Sequence, residues 1–165
     1  LATQELPINA AENLESLHDR LSMAGAPLLV KTLVDFAERR IHPKPQDHTR
    51  AIYTTKISPV MARMNWKEKS AIELERQVRA MSPFPGAWFE LEGERWKAGV
   101  VEIGLDVEAE PGTILQADGK TGFQVACRNC TSLHLVKIQR PGKGMVAAVD
   151  LLRGLHKELR GRVLV

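Results

Sequence analysis

The chain has 165 residues, a formal net charge of +3 at pH 7, 44% hydrophobic residues and 26% charged ones. Those proportions fit a globular protein of one domain or slightly more, and they exclude fibrous and low-complexity chains. No apolar run approaches the ~20 residues of a membrane span, and no basic-then-apolar leader opens the sequence.

Residues 1–8 resemble the end of a strand running into a turn. Asn9 with Glu12 three residues later suggests a capping box. Leu14, Leu17 and Leu21 then recur at helical spacing. Gly25 and Pro27 interrupt the pattern, which resumes through Leu28, Leu33 and Phe36. One kinked helix and two consecutive helices both fit. Residues 41–58 hold Pro43 and Pro45 among polar residues and end just before Pro59, so they are predicted to be an extended linker.

A second helix is predicted over Trp66–Met81, capped by Asn65 with Glu68, and with Ala71, Leu74, Val78 and Met81 on one face. It must stop at Pro83 and Pro85, since proline has no N–H and a fixed φ. Beyond this corner the apolar period falls to two. Strands are predicted at 87–92, 95–104, 112–117, 122–128 and 132–139, separated by turn residues such as Glu92-Gly93 and Asp118-Gly119. Five short strands at even spacing suggest a small antiparallel barrel of the OB type. A short helix over Met145–Leu155, with Val146, Val149 and Leu152 inward, and an extended end at Arg162–Val165 complete the chain.

Most candidate chemistry has a plainer explanation. Cys127-x-x-Cys130 lacks the second pair a structural zinc needs. Two cysteines also suit a reducing cytoplasm. His18, His42, His48, His134 and His156 are dispersed, and none neighbours a nucleophile in sequence. Glu90, Glu92 and Glu94 alternate, which places them on one solvent face of a strand. Gly142-Lys143-Gly144 is too short for a phosphate loop.

Charge is more informative. Residues 90–118 carry eight acids and two bases, whereas 120–165 carry nine bases and two acids. A basic final third suits an anionic partner, nucleic acid first, although a solvated basic face gives the same pattern. Lys137, Arg140 and Lys143 surround one turn, and Arg153, Lys157, Arg160 and Arg162 follow. With little aromatic sequence between them, base stacking is not expected to be a main term. The pattern favours a structured RNA read through its backbone and shape.

Several strings occur together in a specific order: Gln46-Asp47, Tyr53, Lys56-Ile57, Trp66, Ala71, Arg79-Ala80, Pro83, Pro85-Gly-Ala-Trp88, Lys97, Pro111-Gly-Thr-Ile114, Ala126-Cys127 and Gln139-x-Pro-Gly-Lys143. This order and spacing resemble the bacterial methionyl-tRNA formyltransferases over essentially the whole chain. The turn Arg128-Asn129-Cys130 departs from the Asp-Gly or Gly-rich hairpin common in that family.

The resemblance implies an enzyme that moves a formyl group from 10-formyltetrahydrofolate to the methionine amino group of initiator methionyl-tRNA. It also implies that the catalytic Asn, His and Asp lie in a Rossmann-like domain before Leu1. On this basis, residues 1–40 would be the last strand and helices of that truncated domain. Residues 41–58 would be the linker and 59–165 an OB-like tRNA-binding domain. The expected tRNA contacts are Lys56, a linker lysine of the family pattern, with Arg79, Lys137, Arg140, Lys143, Arg153, Lys157, Arg160 and Arg162 chosen by charge and position. No catalytic residue, metal or membrane contact is expected in this segment, and the whole protein is expected to be a cytoplasmic monomer. A formyltransferase relative with a small-molecule acceptor, its barrel purely structural, is the alternative.

Overall fold

The computed structural model describes residues 1–155 and 157–164. His156 and Val165, one of the dispersed histidines and the end of the expected terminal segment, lie outside the described residues. The chain divides into two compact units, Leu1–Ile57 and Ser58–Val165.

The first unit is built on one helix, α1 (Leu14–Ala37), which contains Pro27. The interruption at Gly25 and Pro27 therefore does not split it. Its cap is Asn13, whose side chain accepts from the Ser16 N–H while the Ser16 hydroxyl accepts from the Asn13 N–H. Asn9 and Glu12 do bond, at 2.7 Å. They close a turn before the helix, because Glu12 is also held by Arg20. The strand end expected at residues 1–8 does not form. Asp35 is the one buried residue of α1, bonded to Lys31 and Arg40. Residues 41–57 are irregular apart from a short 3₁₀ turn, His48–Arg50, capped by Asp47.

The second unit is an α+β structure with a six-stranded antiparallel sheet. Its helix α2 (Ala71–Ala80) starts five residues later than the sequence suggests. Asn65 accepts from the Lys67 and Glu68 N–H groups, which makes a local turn and leaves Trp66 free to enter the core. The true cap is Ser70, whose N–H and hydroxyl both bond to Glu73. The Ala71 N–H, an orphan donor of the first turn, is satisfied by Thr131. Leu74 and Val78 pack on the sheet, while Gln77 donates to the Met61 and Arg63 carbonyls.

After Met81 the chain turns through Ser82–Pro83 and Phe84–Pro85, both cis, and Gly86 at φ +81°. The Gly86 N–H closes the corner on the Met81 carbonyl at 2.8 Å. Five strands follow: β1 (Ala87–Leu91), β2 (Glu94–Ile103), β3 (Ile114–Asp118), β4 (Gly122–Cys127) and β5 (Thr131–Gln139). They lie in the order β1-β2-β5-β4-β3. A short strand β6 (Val146–Ala147) pairs with β5, and helix α3 spans Ala148–Arg153. The expected helix over 145–155 is thus shorter, and Val146 is an exposed strand residue with no inward role.

Both edges of the sheet are covered. Met64 donates to the Trp88 carbonyl on β1. At β3 the Gly161 N–H donates to the Ile114 carbonyl and the Ile114 N–H to the Arg162 carbonyl, and just before the strand the Leu164 N–H donates to the Gly112 carbonyl. Inside, Phe89 meets Trp66 and Phe123 edge-to-face at 5.9 and 6.0 Å. All three rings are fully buried. Rings of this size contribute about 1.5–3 kcal/mol each by burial alone.

Candidate nucleic-acid interface

The candidate cations separate by what holds them. Lys137 sits on β5 opposite Val100 of β2 and Ala147 of β6. Its side chain is exposed. Just beyond β5, Gly142 takes φ +68°, and the Gln139 side chain donates to the Lys143 carbonyl at 2.6 Å. This fixes the turn that presents the exposed Lys143. Among the described residues neither lysine has an ion-pair partner. Arg140 between them is half-buried, 3.1 Å from Glu94 and 5.3 Å above the Trp96 ring.

The C-terminal cations are differently placed. Arg153 pairs with Asp150 at 2.7 Å and donates to the Gly119 carbonyl. Lys157 and Arg162 converge on Glu92. Glu92 sits in the β1–β2 turn at φ +56°, next to Gly93 at +78°. It therefore does not share a strand face with Glu90 and Glu94, because the two-residue turn redirects it. The hydrogen bond from Lys157, with the charge of Arg162, holds the Glu92 carboxyl below its ordinary range. Arg160 is exposed with no ion-pair partner among the described residues. Arg79 is half-buried against Glu75, 2.5 Å away, and that bond raises its pKa. Lys56 is exposed and belongs to the first unit.

A further basic cluster escapes a reading by charge runs. Arg63 and Arg95 lie 5.7 and 3.9 Å from the Trp88 ring, whose N–H donates to the Pro59 carbonyl. Lys97 lies opposite Trp88, and its ammonium donates to the Pro85 carbonyl at 3.1 Å. The signal was in the turn. Counting outward from Glu92-Gly93 pairs residue 90 with 95 and 88 with 97.

Grooves follow these clusters. One of about 530 Å³ is lined by Arg63, Asn65, Trp66, Lys67 and Lys69. A shallower one of about 700 Å³ runs along Lys120, Arg153 and Lys157. A smaller one of about 220 Å³ lies at the proline corner. Burial pushes the Cys127 thiol up to about 12, whereas Cys130 is exposed at the turn. Among the described residues no three His, Cys, Asp or Glu side chains could hold a metal ion together, and no described helix is long and apolar enough to cross a membrane.

A small α+β unit with an edge-covered antiparallel sheet and basic turns defines the class. The family described as "Formyl transferase, C-terminal domain" matches residues 56–156, and the chain belongs to that family. Among solved structures, a variant of HypX from Aquifex aeolicus is 14% identical with a TM-score of 0.64 over 90% of this chain. A second variant is 15% identical with a TM-score of 0.63 over 91%. HypX from the same organism in complex with tetrahydrofolic acid is 15% identical with a TM-score of 0.57 over 81%. The chain spans about a quarter of those HypX chains, from 23% to 27%. At such identities the likeness is one of fold.

Proposed function

We propose that this chain is the tRNA-binding C-terminal part of a methionyl-tRNA formyltransferase. In this reading the whole enzyme moves a formyl group from 10-formyltetrahydrofolate to initiator methionyl-tRNA in the cytoplasm. Residues 1–40 then belong to the catalytic domain, 41–58 form the linker and 59–165 carry the tRNA. The folate is assigned to sequence outside this chain.

The observation that carries the tRNA reading is the exposed charge of Lys137 on β5 and of Lys143 on the turn that follows it, neither with an ion-pair partner among the described residues of a formyltransferase C-terminal domain. Lysines in this state can neutralise phosphates and release counterions without first breaking an ion pair. Lys56, Arg160 and the paired Arg79, Arg140, Arg153, Lys157 and Arg162 complete the proposed set. The test is a gel shift of initiator methionyl-tRNA with the purified chain across ~50–200 mM salt. Binding that falls steeply with salt is expected, and salt-insensitive binding overturns the reading.

The second reading is a formyltransferase relative acting on a small molecule. It draws support from the ion pairs that occupy Arg140, Arg153, Lys157 and Arg162. It predicts no shift of tRNA at any salt.

A further inference from the structure

The corner between α2 and β1 carries an aromatic ring that the fold leaves outside. Phe84 is 75% exposed, and of its flanking prolines Pro83 is exposed and Pro85 buried. Its chain neighbour Pro83 lines a groove together with Gly86, Lys97, Gly99, Val100 and Met145. Two glycines shape it. A Cβ on Gly99 would come within 2.6 Å of the Met145 methyl carbon, so the missing side chain is what seats Met145 there. At Gly86 the Lys97 methylenes occupy the equivalent space. Met145 and Val100 stay 41% and 42% exposed, which makes a small apolar floor.

Charge surrounds this floor on one side of the balance only. The Lys97 ammonium is at its edge, Lys137 stands opposite Val100, and Gln139 ties the groove to the Lys143 turn. Among the described residues no carboxylate lines it. An apolar floor, one exposed ring and surrounding cations suit a nucleotide, which is a flat π-face attached to a phosphate. They suit a neutral apolar peptide less well, since such a ligand would leave the cations without partners. The aromatic residue missing from the basic stretch of the sequence is thus supplied by a loop some fifty residues earlier.

We propose that this groove receives one unpaired nucleotide of the bound RNA. Its base stacks on Phe84 and rests against Met145, while Lys137 and Lys143 meet the adjoining phosphates. The proposal rests on the tRNA reading above and adds base contact to a surface otherwise read as purely phosphate-binding.

The experiment is fluorescence anisotropy of end-labelled initiator methionyl-tRNA with the 165-residue chain and its F84A, F84W and G99A variants. Each is measured over a salt series, and folding is checked by thermal melting. Stacking on one base predicts that F84A weakens binding about ten-fold with an unchanged salt slope, because no phosphate contact is lost. F84W should bind as well as the parent chain or better. G99A should weaken binding by displacing Met145, with its cations intact. Parent-like affinity in F84A overturns the proposal and leaves the tRNA reading standing, as does a loss in F84A that F84W shares. Failure of the parent chain itself to bind tRNA overturns the tRNA reading and this subsite with it.

Discussion

Two basic regions of the second unit look alike as sequence and differ as structure. In the C-terminal tail, Lys157 and Arg162 close on Glu92, so their charge joins the tail to the β1–β2 turn. On β5 and just beyond it, Lys137 and Lys143 meet no carboxylate among the described residues, the first presented by the strand and the second by a glycine turn. Charge written in a chain is therefore not charge on offer to a partner. The difference is decided by where the hairpins place their acids, which a count of lysines and arginines does not register.

The contrast breaks most decisively at Gly112, where the tail is held without any charge. This residue has φ +96°, and a Cβ there would lie 2.6 Å from the Leu164 carbonyl oxygen, a backbone atom that cannot step aside. Gly112→Ala is expected to cost about 3 kcal/mol, from the left-handed conformation and the clash together. Urea unfolding measures it, and a loss below about 1 kcal/mol would mean that the tail is not an integral edge of the sheet.

Reversing the free charges sharpens the other half. In the K137E/K143E double variant the slope of log K against log salt for tRNA should drop by about 1.8, two phosphates' worth, while the urea midpoint stays put. Charge reversal of Lys157 and Arg162 should lower the melting temperature as well as the slope, because their ion pairs to Glu92 are lost too. If both pairs behave alike, tail and turn do not differ in how their charge is held.

The smallest effect concerns pH. Glu92 is held below its ordinary pKa by Lys157 and Arg162, so its folded value is depressed. Its contribution is therefore complete above the unfolded value of ~4.3 and disappears as pH falls through the folded one. Glu92→Gln should slightly lower the melting temperature at neutral pH and flatten its decline in acid. An unchanged acid limb would show that the pairing does not couple to folding.

Much of the second unit could be read from residues alone. Alternation is clearest in β2, where Trp96 and Ala98 are buried between more exposed neighbours, whereas β1 and β4 are buried almost throughout, and Glu92-Gly93 marks the first hairpin because both residues take positive φ. The start of α2 was misread for a physical reason. Asn65 makes the same short-range bonds in a turn as at a helix cap, and only the depth of Trp66 in the core distinguishes them. Val146 likewise carries a helix-like spacing, but β5 offers it an edge and the ladder takes it. Of the candidate interface, residue types were legible and partners were not. The Glu92–Arg162 pair spans seventy residues, and the carbonyl that Lys97 bonds comes from the proline corner. Neither leaves a local trace.

The cysteine pair offers a use unrelated to metals or redox. Cys130 sits exposed in a turn at φ +55°, three residues from a Cys127 that is 1% exposed and reluctant to ionise. A thiol reagent at neutral pH should modify one site on the folded protein and two in denaturant. The outer thiol is then a single attachment point for a dye, placed without mutagenesis. The inner one is a clock for opening of the sheet, because its rate of modification counts the moments when the core around Phe123 and Val125 comes apart.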